Sequence, residues 1–100
     1  MRSLLLGLDS GTQSTKALVV EAATGKVLGQ AAQAYGLIPN LPPGAKEQHP
    51  HTWRDAAAKV IQAALRAAKA SANEVAAIGV SGQQHGFVPL DKDGSVIRPA

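Results

Sequence analysis

The stretch that decides the fold is GLDSGTQSTK, residues 7–16. It joins a short apolar run, residues 4–9, to a second run rich in valine and leucine, residues 15–22. Turn-forming residues cluster around Gly11 between the two runs, and this order is typical of two strands joined by a tight turn. We therefore predict a β-hairpin near the start of the chain.

Outward from the hairpin, the pattern predicts a meander, a loop and a helix. A turn signal at residues 23–26 precedes a third strand over residues 27–35, and a loop rich in proline and glycine covers residues 36–48. Apolar residues then recur at spacings of three and four, which indicates an amphipathic helix. The apolar stripe of this helix consists of Trp53, Ala56, Ala57, Val60, Ile61, Ala64, Leu65 and Ala68.

Local signals predict the two ends of the helix and the elements after it. Pro50 fits the first helical turn, where its missing N–H costs nothing, and Ser71 and Asn73 are expected to end the helix. Residues 75–80 are compact and apolar, so we expect a fourth strand that is buried on both faces. Residues 87–94 are predicted to form a short strand and a hairpin turn.

The composition excludes several classes of function. With 100 residues and 45% apolar content, the chain can build one packed domain. The net charge of +3 is scattered along the chain and only 3% of residues are aromatic, so we expect no nucleic-acid partner. The absence of cysteine excludes disulfides and thiolate metal sites. No stretch approaches the ~20 apolar residues of a spanning helix, so we expect a cytoplasmic protein with no membrane partner.

The predicted turn has the chemistry of a phosphate receptor. A turn at Gly11 lets successive backbone N–H groups point into one concavity, which suits phosphate oxygens. Thr12, Ser14 and Thr15 add hydroxyl donors, and Lys16 adds a positive charge. Together these groups indicate a site for a nucleoside triphosphate.

The carboxylate of Asp9, at the end of the first strand, suits a metal ion. Mg²⁺ is usually held by one or two carboxylates through its own water shell, so Asp9 is a candidate to bind the ion through water. A simpler interpretation is a well-made hairpin turn, because Asp, Ser and Gly are favoured in turns for conformational reasons. The stretch is not a Walker loop, since no Gly-Lys-Ser ending precedes a helix. Spacing alone leaves both interpretations open.

A second polar cluster lies after the fourth predicted strand. Gln83, Gln84 and His85 lie on a short loop between Gly82 and Gly86. Amides and an imidazole can each donate and accept hydrogen bonds, which suits a ligand covered in hydroxyl groups. The alternative is that His85 only caps a turn or satisfies buried backbone groups.

Both clusters resemble motifs of one known family. Residues 7–16 resemble the first phosphate-binding hairpin of the sugar kinase, Hsp70 and actin superfamily, in which the hairpin faces a cleft between two ribonuclease-H-like domains. Residues 75–89 resemble the substrate loop of the FGGY carbohydrate kinases, and their Gly-Gln-X-His-Gly form is similar to the xylulokinase branch. Residues 47–50 with Trp53 are similar to the Glu-Gln-Asp-Pro and tryptophan that open the first long helix there. The resemblance spans residues 5–100.

The chain departs from this branch at two positions. Gln84 stands where methionine is expected, which leaves the identity of the sugar open. His49 replaces the expected aspartate, so we assign residues 47–50 no catalytic role and expect Trp53 to belong to the core.

The resemblance implies an α/β, ribonuclease-H-like fold with the order β-β-β-α-β. Residues 1–100 would form the N-terminal part of the first FGGY kinase domain, with the second domain outside this chain. ATP and Mg²⁺ would be the cofactors, and Gly11, Thr12 and Gln13 would bind phosphate through their backbones. Ser14 and Lys16 would assist through their side chains.

The implied reaction is ATP-dependent phosphorylation of a ketopentose, D-xylulose to xylulose 5-phosphate. Gln84 and His85 would contact the sugar, and Asp9 would bind Mg²⁺ through water. No catalytic base is expected in this segment, because in the family the base is an aspartate beyond residue 100. Asp91 and Asp93 do not fit that role, since the composition of their turn explains them.

Three alternatives remain open. Another FGGY substrate, such as gluconate, ribulose or glycerol, would use the same motifs. An actin-like or chaperone-like ATPase would share the hairpin but gives no reason for Gln83, Gln84 and His85 together. A stand-alone binding module would leave an exposed sheet edge. The expected partner is a small-molecule sugar, and a homodimer is the candidate assembly.

Overall fold

A computed structural model describes residues 2–84 and 86–100. The elements follow the predicted order β-β-β-α-β, with one short 3₁₀ turn added before the last strand. They are β1 (Leu4–Ser10), β2 (Ser14–Glu21), β3 (Val27–Ala34), α1 (Pro50–Ala67), the 3₁₀ turn (Ala72–Glu74) and β4 (Val75–Gly82). Within the described residues, no helix has the length and apolar composition needed to cross a bilayer.

The four strands form one sheet in the order β3-β2-β1-β4. β1, β2 and β3 pair antiparallel, which confirms the predicted meander, whereas β4 pairs parallel to β1. A parallel pair needs a long crossover connection, and α1 lies within that connection. Parallel pairing also brings the carboxyl ends of β1 and β4 together, with Ser10 opposite Gly82.

The core lies between α1 and one face of the sheet. Alternate residues of β1 and β2 are buried because successive side chains of a strand point to opposite faces. The buried strand residues are Leu4, Leu6, Thr15, Ala17 and Val19, and the buried helix residues are Ala56, Val60, Ala64 and Ala68. The helix residues belong to the predicted apolar stripe, which is therefore confirmed.

The small residues of this stripe let α1 approach β3 closely. A side chain added at Gly29 would place its Cβ 2.5 Å from the carbonyl oxygen of Ala64 and 2.6 Å from the amide nitrogen of Ala68. Real Cβ atoms essentially never come this near to backbone atoms. Gly29 is therefore required by packing rather than by an unusual backbone conformation.

The helix begins as predicted and ends earlier than predicted. Pro50 occupies its first turn, but the helix ends at Ala67 and not near Ser71 and Asn73. Lys69 takes a left-handed conformation with φ of 53°, and the amide of Ala70 donates to the carbonyl of Leu65 at 3.0 Å. This is a Schellman ending, for which glycine is the usual residue. Because Lys69 and not glycine occupies that position, the sequence does not indicate where the helix ends.

The last strand differs from the prediction in its burial. Ile78 and Val80 of β4 are 59% and 67% exposed, so burial on both faces is wrong for the described chain. Within the described residues, β4 is the last strand of the sheet order, and α1 packs mainly against β2 and β3. The short strand expected within residues 87–94 is reduced to a single bridge between Leu90 and Val96 around the predicted turn.

An ion pair joins the start of the chain to the 3₁₀ turn. The Nε of Arg2 donates to the carboxylate of Glu74 at 2.7 Å, and the amide of Ser71 donates to the same carboxylate at 3.0 Å. The Arg2 guanidinium, and then the Ser71 amide, hold the pKa of Glu74 below its ordinary value. The stabilisation is therefore present above the unfolded-state pKa and is lost as the pH falls through the folded-state pKa.

We expect Glu74→Gln to lower the melting temperature at neutral pH, and this difference from wild type should vanish in acid. Thermal unfolding of the full-length protein between about pH 3 and pH 7 measures this difference in melting temperature. Asp55→Asn, which removes an exposed carboxylate on α1, is the matched control. A melting-temperature difference between Glu74→Gln and wild type that stays constant over the whole pH range would contradict the prediction.

Candidate functional site

The predicted phosphate turn is the tip of the β1–β2 hairpin. Cross-strand pairs run up to Asp9 opposite Lys16 and Ser10 opposite Thr15, which leaves residues 11–13 as the turn. The amide of Gly11 donates to the carbonyl of Ser14 at 2.9 Å, and a Cβ at Gly11 would lie 3.2 Å from that oxygen. The predicted hairpin is confirmed, and close approach across the turn favours glycine at this position.

All three carbonyl groups of the turn accept hydrogen bonds from the protein. The hydroxyl of Tyr35 donates to the Gly11 carbonyl, Nε2 of Gln48 donates to the Thr12 carbonyl at 2.8 Å, and the amide of Tyr35 donates to the Gln13 carbonyl at 3.0 Å. The amide N–H groups of Thr12 and Gln13 have no acceptor among residues 2–84 and 86–100. These two donors are thus available to a ligand.

A cleft of about 750 Å³ lies between the turn and the loop after β4. Its lining includes Thr12 and Gln13 of the turn and Gln83 and Gln84 of the loop. The amide of Gln83 donates to the carbonyl of Ser10 at 3.0 Å, which extends the pairing of β1 with β4 to the edge of the cleft. The structure therefore brings the predicted phosphate turn and part of the predicted sugar loop to one crevice.

The remaining predicted site residues have different positions. Asp9 and Lys16 line a second depression on the sheet, on the face opposite α1. Their positions follow from strand alternation, since Thr15 and Ala17 point into the core. Ser14 is half-buried at the start of β2. His85 lies outside the described residues.

Gln48 is a site residue that sequence reasoning missed. Its side chain is buried, with the residue 5% exposed, in a loop to which we assigned no role. Its Nε2 also approaches the Gly36 carbonyl at 3.3 Å, while its Oε1 accepts from Nε1 of Trp53 at 3.0 Å and from Nε2 of Gln83 at 3.4 Å. No spacing rule connects a glutamine in a loop to a turn 36 residues earlier.

Trp53 and Glu47 also line the cleft. Trp53 is half-buried and lines the cleft, rather than lying fully in the core as predicted. Its indole N–H is used by Gln48. Glu47 is paired with Arg98, and this hydrogen bond raises the pKa of the guanidinium.

The acidic residues are dispersed rather than gathered into a protein cage for metal. Over residues 2–84 and 86–100 no group of three or more His, Cys, Asp or Glu side chains is placed to hold an ion. Asp9 is a single exposed carboxylate beside the turn. Such an arrangement fits Mg²⁺, which keeps several waters and takes further ligands from substrate phosphates.

Comparison with known proteins finds the same fold and motifs. Residues 4–100 match the N-terminal domain of the FGGY family of carbohydrate kinases. A xylulose kinase of Streptomyces rubiginosus is 46% identical over 99 residues, which are 97% of this chain and 19% of that protein. The chain thus spans about a fifth of the length of such relatives.

Two solved structures superpose closely on the chain. The xylulose kinase from Rhodospirillum rubrum matches with a TM-score of 0.84 and 32% identity, covering 96% of this chain and 19% of that one. The gluconate kinase from Lactobacillus acidophilus matches with a TM-score of 0.87 and 26% identity, covering 99% of this chain and 19% of that one.

Proposed function

The chain belongs to the FGGY family of carbohydrate kinases, and we propose on that premise that the protein containing it phosphorylates D-xylulose with ATP, giving xylulose 5-phosphate. The predicted ribonuclease-H-like fold is confirmed by its structural neighbours. The observation that carries the proposal is the shared cleft, which is lined by Thr12 and Gln13 of the turn and by Gln84 of the loop after β4. A kinase must hold its phosphate donor next to its acceptor, and a crevice lined by both motifs provides such a place.

The chain's own contribution to the reaction is to bind and orient the phosphates. The amide N–H groups of Thr12 and Gln13 are proposed to bind phosphate oxygens. They have no acceptor within the described residues, whereas the carbonyl groups of the turn already accept hydrogen bonds from the protein. The N–H of Gly11, which was expected to bind phosphate, donates to the Ser14 carbonyl instead, so the role proposed for Gly11 is to allow the tight turn. Ser14 and Lys16 are proposed to assist with a hydroxyl and an ammonium group. Donors held in place before the reaction cost no reorganisation when charge develops.

Asp9 is proposed to hold Mg²⁺ through water at the end of β1. The ion, when bound, would neutralise charge on the phosphates during transfer. Asp9 lies two residues before Gly11, so its carboxylate and the turn amides belong to the same end of the sheet. The base that accepts the sugar hydroxyl proton is proposed to be an aspartate beyond residue 100.

Gln84 and His85 are proposed to bind the sugar hydroxyls. Gln84 lines the cleft, and His85 is the next residue in the sequence. Gluconate is the second candidate substrate, because the structural likeness to a gluconate kinase is as close as that to xylulose kinases and because Gln84 replaces the methionine expected in the xylulokinase branch. An amide in place of a thioether adds a donor and an acceptor toward the ligand.

A panel of acceptors tests the proposal. The full-length protein is incubated with ATP, Mg²⁺ and D-xylulose, D-ribulose, gluconate or glycerol, and ADP release is measured in a coupled assay. We expect the highest kcat/KM with D-xylulose. A higher kcat/KM with gluconate would make gluconate the proposed substrate. ADP release that no acceptor stimulates would contradict a sugar kinase and favour the ATPase alternative.

We expect His85→Ala to raise the KM for the sugar about 10- to 100-fold, because one or two hydrogen bonds to hydroxyl groups are lost. The KM for ATP should change little. His51→Ala, which removes an exposed histidine on α1, is the matched control. Equal sugar KM values for the two variants would show that His85 does not contact the sugar.

A further inference from the structure

We propose that Gln48 and Tyr35 are positioning residues, which hold the carbonyl groups of the phosphate turn and thereby aim its amide N–H groups at the phosphate. The inference rests on the proposed function, because it requires the turn to bind phosphate. It adds two residues to the site, one from the loop before α1 and one from the end of β3.

Peptide geometry connects the carbonyl contacts to the direction of the amides. The described peptide bonds are all trans. In a planar trans peptide the C=O of one residue and the N–H of the next point in opposite directions. Holding the carbonyl of Gly11 therefore sets the direction of the Thr12 N–H, and holding the carbonyl of Thr12 sets that of the Gln13 N–H.

Tyr35 holds the turn at both of its ends. Its hydroxyl donates to the Gly11 carbonyl and lies 3.0 Å from the hydroxyl of Thr15, which is fully buried. Its backbone amide donates to the Gln13 carbonyl at 3.0 Å. Since the ring and the backbone of one residue make these contacts, the turn is tied to the end of β3.

Gln48 holds the middle of the turn, and its orientation is determined by its neighbours. The indole N–H of Trp53 is a donor only, so the atom of Gln48 that it meets at 3.0 Å must be Oε1. Nε2 therefore faces the Thr12 carbonyl at 2.8 Å. A buried amide with both ends engaged is costly to disturb, because each lost partner leaves a desolvated polar group.

Gln83 extends this network to the loop after β4. Its Nε2 lies 3.4 Å from both the Gly11 carbonyl and Oε1 of Gln48. Gln83 immediately precedes Gln84, which lines the cleft. The phosphate turn and the sugar loop therefore rest on the same buried glutamine, so a change at Gln48 affects the turn directly and the loop through Gln83.

The test uses two variants of the full-length protein and one control. Gln48→Glu keeps an acceptor for Trp53 but removes the donor to Thr12, and Tyr35→Phe removes only the hydroxyl that holds Gly11. Gln62→Glu makes the same chemical change as the first variant at an exposed position on α1. The measurements are kcat and KM for ATP and the hydrogen exchange of the amides in residues 11–14, with and without a non-hydrolysable ATP analogue.

We expect kcat/KM for ATP to fall about tenfold or more in Gln48→Glu and in Tyr35→Phe, because a misdirected amide loses its hydrogen bond to phosphate. The protection of the turn by the nucleotide analogue should weaken in both variants. Gln62→Glu should behave like the wild type in every measurement. A purely structural role would lower the melting temperature without weakening protection of the turn in the folded protein.

The outcomes separate this inference from the proposed function. If the wild type shows sugar-dependent ADP release and a protected turn, and Tyr35→Phe and folded Gln48→Glu match it, the positioning role is overturned. If Gln48→Glu does not fold, Tyr35→Phe decides alone, since it removes one oxygen atom. If the wild type itself releases no ADP with any acceptor, the proposed function has failed first and the inference fails with it.

Discussion

Asp9→Asn should lower the turnover of the full-length kinase about 100- to 1000-fold, which is the usual cost of removing one preorganised electrostatic group from a site. The substitution keeps the size and shape of the side chain but removes its negative charge and turns one acceptor oxygen into an NH₂ donor. Asp9 is exposed at the end of β1 and lies opposite Lys16 in the hairpin. Since it does not line the cleft with Gln84, sugar binding should be retained.

The measurement is steady-state turnover against ATP, sugar and Mg²⁺ concentrations. The charge effect predicts a fall in kcat with the KM for the sugar unchanged, because an interaction made mainly in the transition state lowers kcat. Asp93→Asn, which changes an exposed aspartate of the turn at residues 91–94, is the matched control. Normal turnover of Asp9→Asn would show that Asp9 has no part in metal or phosphate binding.

Gly29→Ala should destabilise the domain by about 1–3 kcal/mol, which is the typical cost of overpacking. Replacing glycine by alanine inside a strand ordinarily stabilises it, because glycine loses more conformational freedom on folding. Here the added Cβ would lie 2.5 Å and 2.6 Å from backbone atoms of Ala64 and Ala68. Backbone atoms of a helix cannot move aside singly, so α1 as a whole must shift from β3.

Thermal or urea unfolding of the full-length protein measures this effect. Gly36→Ala is the control, because a Cβ at that position meets no atom within 4 Å and the residue has no positive φ. The two variants add the same methyl group, so any difference between them reports on packing. A Gly29→Ala protein as stable as Gly36→Ala would contradict the close contact between α1 and β3.

The parts of the fold that could be predicted are those with a local periodic signal. Two apolar runs around a cluster of turn-forming residues predicted the hairpin, and spacings of three and four predicted α1 with its buried stripe. The turn residues around Gly11 predicted the turn, and the resemblance to known kinases indicated a phosphate site there. Each of these signals arises within a few residues of chain, where backbone geometry alone decides which side chains share a face.

The amino-acid sequence by itself thus determined the order of the elements, the hairpin and the family. Only the tertiary structure decided that β4 pairs parallel to β1 and so brings Gln84 and Thr12 to one cleft. It also decided that the buried side chain of Gln48 contacts both the turn and Gln83. The physical reason is distance along the chain, because contacts between segments 36 or 72 residues apart depend on the packing of the whole domain and leave no periodic pattern.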